Sequence, residues 1–480
     1  MEQLSGQDAT FLYLESARMP MHIGSVNVYD PSTAPGGQVR FKQILDLVDS
    51  RLDRARAFRQ RLARVPLELD YPYWINDPDF DLEFHVRHIA LPRPGDWRQL
   101  CIQVARLHSR VLDLARPLWE MYVIEGLDRV QGLPAGSYAL LTKIHHAAID
   151  GATGAEITAA LHDLSPEGSV VARDRQWVAD NPPTNLELLV RTYGNNIRQP
   201  FRLMMVLSQA VPAVARVQQQ LRRHELRSAG EVPRTLFNAA VSAHRVFEGR
   251  DFDLADVRAM RRAVPGATVN DVVLAICGGA VRRYLLHRGA LPEQSLVAMA
   301  PVNVRREEQS GAAGNQVSAM AVAIRTDIPG PLDRLEAVYT HTRDAKELSQ
   351  AYGARLMTDL NRHIPAATLA LAGRLVTQMG LGNMISPLFN CVITNVPGPQ
   401  VPLYMNGARM VTQYGLGPVG DSVGLFMPVL SYNGRLTISF TSCREIMPDP
   451  AYFSACIQES FDEMRDAARG ALAQSLPSAT

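Results

Sequence analysis

Apolar residues recur at Ile44, Leu45, Val48 and Leu52 behind Phe41, one stripe of an amphipathic helix, and again at Trp97, Leu100, Cys101, Val104 and Val111. Between the two stripes Leu82, Phe84 and Val86 alternate with Glu83, His85 and Arg87, the period of a half-buried strand. Two β-like runs follow, LWEMYVIEGL and SYALLTKIHH, and then a helix is predicted from about Gly154 to Leu164 with Thr153 and Glu156 as its capping box. In the second half Thr268 and Asp271 can cap a helix that carries Val272, Val273, Ile276 and Val281 and stops near Gly289. Strands are predicted at 296–303, 317–325 and 389–396, and GLFMPVLSYNGRLTISFTSC reads as a hairpin turning at Asn433 and Gly434. A final helix opens at Asp449 with Pro450 in its first position and buries Phe453, Ile457, Phe461 and Met464.

Between these halves residues 165–235 change character: SPEGS and DNPPTN, then a polar-flanked apolar stretch, then QQQLRRHELRSAGEVPRT. They predict a linker containing one or two helices. The pattern is therefore α/β with mixed α+β sheets in two domains, 1–180 and 236–480, joined by a helical linker at 181–235.

Length supports that division, since 480 residues with 46% hydrophobic content exceed what one core organises. Formal net charge is +1, so nothing in the overall field calls for nucleic acid as a partner. Nearly all positive charge is arginine, lysine occurring at positions 42, 143 and 346 alone. Cys101, Cys277, Cys391, Cys443 and Cys456 are odd in number and never spaced CxxC, which argues against a disulfide framework or structural zinc and fits a reducing, cytoplasmic compartment. The opening MEQLSGQDAT lacks a basic n-region and an apolar h-region, so export is not expected. No run is long enough for a transmembrane helix. The stretch Phe201–Val217 is a candidate for an interfacial helix on a membrane, against the simpler reading of a helix packed on its own protein.

The segment LTKIHHAAIDGATG, residues 141–154, concentrates the chemistry. If 138–146 is extended, His146 shares a face with Leu140, Thr142 and Ile144, while His145 shares the other with Leu141 and Lys143. A neutral imidazole on the more apolar face can accept a hydroxyl proton. Asp150 could orient a histidine or hold its own turn, and the residues leave both roles open. Gly151 lets the backbone bend there. Metal binding would need ligands that no HExxH or His/Cys cluster supplies, and no GxSxG or cysteine setting offers a nucleophile. A structural histidine pair and general-base catalysis by His146 remain.

HHAAIDG matches HHxxxDG, the signature of the superfamily that includes chloramphenicol acetyltransferase, carnitine acyltransferases and peptide-synthetase condensation domains. Five further blocks, LSGQDATFLYLESARMPMHIGSV, RPLWEMYVIEGL, TVNDVVLAICGGAVRRYL, PVNVRREEQSGAAGNQVSAM and NVPGPQVPLYMNGARM, resemble in order the bacterial wax ester synthase/diacylglycerol acyltransferase family. The resemblance implies two chloramphenicol acetyltransferase-like domains with an active-site channel at their interface. It implies direct transfer from fatty acyl-coenzyme A, a co-substrate with no further cofactor and no metal, to diacylglycerol or a long-chain alcohol. His146 maps to the catalytic histidine, His145 and Asp150 to supporting positions, and Gly151 to the residue that keeps the channel open. Asn270 and Asp271 resemble a pair near the active site, while Pro117, Leu118 and Trp119 shape its wall. Another hydroxyl or amine acceptor, or a lipid-binding protein without turnover, would be the alternatives. Both substrates partition into lipid, so a peripheral place on the membrane or a lipid droplet is expected; coenzyme A contacts, the oxyanion donor and oligomeric state are left open.

Overall fold

The computed structural model describes residues 1–149, 157–168, 179–195, 232–303, 317–352 and 387–475. Among the described residues fifteen strands form three sheets. A small sheet pairs β1 (Glu2–Gln3) and β3 (Gln60–Ala63) on either side of β4 (Tyr73–Asn76). The first large sheet contains β2 (His22–Asp30), β5 (Val86–Ala90), β6 (Trp119–Glu125), β7 (Tyr138–His145), β12 (Tyr404–Met405) and β13 (Ala408–Leu416), in the order β12-β13-β2-β7-β6-β5. The second contains β8 (Arg245–Asp253), β9 (Val297–Asn303), β10 (Val317–Ala323), β11 (Cys391–Pro397), β14 (Leu425–Tyr432) and β15 (Arg435–Cys443), in the order β10-β9-β11-β14-β15-β8. Pairing is mostly antiparallel; β5 with β6, and β11 with both β9 and β14, run parallel.

β6 and β7 are covered on both faces, which is why their sequences read as near-continuous apolar runs. Trp119, Met121, Leu140 and Ile144 enter one core, and Tyr122, Ile124, Ala139 and Leu141 enter another. The second lobe has its own large core, centred on the helix Val269–His287 and closed by the helix Pro450–Ser475 through Phe453, Ile457, Phe461 and Met464. Asn433 and Gly434 both have positive φ, 44° and 81°, as the hairpin turn between β14 and β15 requires. All five cysteines are free and buried.

Two elements depart from the periodicity. Leu82–His85 is a helical turn rather than the start of a strand, because the Asp81 side chain caps it, accepting from the Glu83 amide at 3.0 Å. His85 Nδ1 then donates to the Trp119 carbonyl at 2.7 Å, and the strand begins only at Val86. The second departure is topological: β12 and β13, from residues 404–416, belong to the first sheet, where β13 pairs along β2. The span 236–480 expected as a second domain thus also builds an edge of the first sheet. The lobes meet closely there, since a Cβ on Gly415 would stand 2.7 Å from Pro428 Cβ, and one on Gly249 2.7 Å from Tyr414 Cδ1. The helix Trp97–His108 also reaches across, with Trp97 and Cys101 both on the Glu248 carboxylate of β8.

Candidate active site

β7 ends at His145, and His146–Ala148 forms a single 3-10 turn. The alternation that assigns His146 to a strand face therefore stops one residue short of it. What ends the strand is the His145 side chain, whose Nδ1 accepts from the Ala147 amide at 3.0 Å and caps the turn. An amide only donates, so Nδ1 carries the lone pair and the proton of the neutral ring is on Nε2. That Nε2 lies 3.3 Å from Glu15 Oε2, which also accepts from the Met21 amide at 2.9 Å. His145 is fully buried, and the Glu15 side chain nearly so. The carboxylate that faces His145 is thus Glu15, at the end of the helix Gly6–Leu14, in a contact that falls outside hydrogen-bond geometry. Asp150 and Gly151 lie outside the described residues.

His146 differs from its neighbour in every respect. Its amide donates to the Met21 carbonyl at 2.9 Å, while its ring lies flat on Phe11, centroids 3.9 Å apart and planes within 10°. The residue is half-buried, and Nδ1 is enclosed without a partner from another residue. Burial pushes the imidazole down from its ordinary value to about 4; a contact with its own backbone opposes this, and the neighbouring His145 adds to it. The ring is thus neutral through the physiological range, with Nε2 the nitrogen not enclosed.

Beneath the pair lies a buried polar layer. His22 stands opposite His145 in the β2–β7 register and its Nε2 bonds the His108 carbonyl at 2.7 Å. Burial holds both His22 and His108 well below the usual histidine range. Lys143, also fully buried, donates to the Arg110 carbonyl at 2.7 Å and sits 3.4 Å from Glu120. Burial lowers its ammonium as well.

The other predicted residues have structural employment. The Leu118 carbonyl accepts from the His145 amide at 2.9 Å, so Pro117-Leu118 braces the histidine strand. Trp119 is buried among Phe58, Phe80 and His85, and its indole N–H donates to the Phe58 carbonyl at 3.0 Å. At 1% exposure it is a core residue. Asp271 is equally spent: one carboxylate oxygen accepts from the Thr268 amide and hydroxyl at 2.8 and 2.7 Å, the other from the Thr342 hydroxyl at 2.6 Å. It takes part in the capping box of the helix Val269–His287 and ties that helix to Thr342. Asn270 is half-buried and accepts from Asn395 Nδ2 of β11 at 3.3 Å. Among the described residues no hydrogen bond joins Asn270 or Asp271 to the histidine pair. Glu15 and Phe11 escaped sequence reasoning, as a lone acid and a lone aromatic on a short helix carry no pattern. Among the described residues no cluster of three or more His, Cys, Asp or Glu side chains could hold a metal ion.

A half-buried imidazole just past a strand end, beside a second, buried histidine, thus lies in the first of two mixed-sheet lobes. Comparison supplies the class. Residues 4–273 match the wax ester synthase/diacylglycerol acyltransferase catalytic domain, and residues 313–465 match the C-terminal domain of the same family. A Mycobacterium tuberculosis protein provisionally named as a diacylglycerol O-acyltransferase is 34% identical over 94% of this chain and 87% of its own. The solved wax ester synthase/diacylglycerol acyltransferase of Marinobacter aquaeolei VT8 superposes with a TM-score of 0.66 at 28% identity, covering 97% of this chain and all of that one. The starter condensation domain of rhizomide synthetase shares the fold, with a TM-score of 0.53 at 15% identity over 99% and 96% of the two chains. The chain belongs to the wax ester synthase/diacylglycerol acyltransferase family, and it is an acyltransferase.

Proposed function

We propose that the protein transfers a fatty acyl group from acyl-coenzyme A to the hydroxyl of diacylglycerol, forming triacylglycerol, or of a long-chain alcohol, forming a wax ester. His146 is the general base, and no acyl-enzyme forms. The observation that carries this reading is the His146 ring: neutral down to about pH 4, laid on Phe11, and with an Nδ1 that no other described residue bonds. As the acceptor oxygen attacks the thioester carbonyl, Nε2 takes its proton. The tetrahedral intermediate then expels the coenzyme A sulfur, which recovers that proton from the imidazolium, leaving ester and free thiol. The thioester is already activated, so the protein's work is alignment and proton transfer. Glu15 and His145 keep the turn that carries His146 in place.

Contact with a membrane or droplet surface belongs to the same proposal, since both substrates are oily. The stretch Phe201–Val217 lies outside the described residues. Just before it, the helical residues 185–195 turn Leu188 and Thr192 inward and expose Leu186, Val190 and Tyr193, each 65–72% accessible, at helical spacing. No helix of the described residues is long and apolar enough to cross a membrane. Replacing Leu186, Val190 and Tyr193 with glutamate should reduce flotation with liposomes; unchanged flotation would remove that face.

The decisive assay incubates the purified protein with labelled palmitoyl-coenzyme A and either diacylglycerol or hexadecanol, beside His146→Ala. Labelled triacylglycerol or wax ester from the wild type, and a loss of at least about 10²-fold in the variant, is the expected result. Retained activity in His146→Ala would end the mechanism, and thiol release without either ester would redirect the acceptor.

A further inference from the structure

The loop between the helix Gly6–Leu14 and β2 touches both catalytic histidines and the opposite lobe. At its ends, Glu15 faces His145 Nε2 and receives the Met21 amide, while the Met21 carbonyl holds the His146 amide. Its middle is a tight turn in which Ser16 and Met19 exchange backbone bonds at 3.2 and 2.9 Å. That turn is gripped by the second lobe. Arg18 makes a two-pronged pair with Asp421, at 3.2 and 3.0 Å, and donates to the Val241 carbonyl at 3.1 Å. Asp421 is 5% exposed at its side chain and also accepts from the Val241 amide at 2.9 Å, so its position is set by its own lobe. Arg245 of β8 donates to the Arg18 carbonyl. Met19 is buried in the second lobe's core, and its sulfur receives the Asp421 amide at 3.4 Å.

We propose that residues 15–21 act as a strap that sets the catalytic imidazole by reference to the opposite lobe, with Arg18 and Asp421 as its positioning residues. The reasoning is mechanical. The first lobe alone holds the His145–Ala148 turn at Leu118 and through its own cap, whereas Glu15 and Met21 hold it from a loop whose centre is fixed 3 Å from Asp421. A bidentate guanidinium–carboxylate pair fixes angle as well as distance. When the lobes keep their spacing, Glu15 and Met21 stay against the histidines; when the grip is cut, the loop relaxes, and a shift of about 1 Å at the reacting centre costs up to about 10² in rate. Among the described residues, the charged and titratable groups near the ring are His145 and Glu15 beside it, with His22, His108, Lys143 and Glu120 buried behind and Arg18, Arg245 and Asp421 at the far side of the strap.

The proposal rests on His146 being the base, so the test runs three variants on the full-length protein: Arg18→Gln, Arg18→Lys and His146→Ala. Initial rates against palmitoyl-coenzyme A are measured from pH 4.5 to 8, with melting temperature as the check on folding. Arg18→Gln is expected to lose about 10-fold in kcat with a smaller change in KM. Its acid limb should also move upward toward the ordinary histidine value as water reaches the loosened ring. Arg18→Lys, which keeps the charge but one prong of the pair, should fall between it and the wild type. An Arg18→Gln protein that melts earlier yet keeps the wild-type kcat and pH profile overturns the strap while leaving His146→Ala inactive. Activity persisting in His146→Ala would instead overturn the base itself.

Discussion

The turn at His145–Ala148 and the helix start at Thr268–Asp271 are both polar beginnings at the edge of an apolar core, and both contain residues that a sequence motif marks as functional. They use their side chains in opposite ways. Asp271 bonds the Thr268 amide and hydroxyl with one oxygen and Thr342 with the other, so both oxygens help to hold a helix. At the histidine turn that labour falls to His145, which caps with Nδ1 and faces Glu15 with Nε2. Among the described residues, His146 is thereby left with an Nδ1 that no other residue bonds, and its imidazole is shifted by burial toward the neutral form. The difference teaches that a reactive group is recognisable by what its neighbours leave undone. Adjacent residues of like chemistry can divide support and reaction between them.

Three substitutions break or sharpen that contrast. His146→Ala should have the largest effect on turnover, about 10²- to 10⁴-fold, with a small fall in melting temperature from the lost stacking on Phe11. Glu15→Gln should come next: it removes the carboxylate that faces His145 Nε2 and accepts from the Met21 amide. A fall of about 10-fold in kcat is expected with a smaller change in KM, and an unchanged kcat would show that the cap at Ala147 suffices. Asp271→Ala should reverse the pattern. The Thr268 amide and hydroxyl lose their acceptor and the Thr342 hydroxyl keeps only the Tyr339 carbonyl, so stability should drop by about 1–3 kcal/mol while kcat stays within about twofold. Chemical denaturation and steady-state rates on the same preparation separate the two; a collapse of kcat without loss of stability would return Asp271 to the reaction.

Much of the fold was legible in the chain because helical and strand periods are local. The stripe over Phe41–Arg51, the Thr268 cap, the turn at Asn433–Gly434 and the Pro450 helix start each need only neighbouring residues. What was not legible depends on contacts between distant segments. Nothing near 404–416 signals that these strands cross to the first sheet, because an alternating strand matches either edge equally well. Leu82–His85 misled because a single helical turn is shorter than the window in which its period can be told from a strand. At the site, the histidine pair stood out by its motif. The division of labour within it is set by Glu15 and Phe11, one helix away in space and far away in sequence.

The central claim is that burial keeps the His146 imidazole neutral and ready to take a proton. A histidine depressed in the native state holds its neutral form above its folded value and gives it up as pH falls through that value, here about 4, while the unfolded chain would protonate near ~6.5. The most direct test is the pH dependence of kcat/KM for palmitoyl-coenzyme A with diacylglycerol or hexadecanol, each point checked for full recovery on return to pH 7. A profile that stays flat from pH 8 down to about 5 and declines only toward 4 is predicted. An acid limb centred near ~6.5, with the enzyme still folded and recoverable, would contradict it.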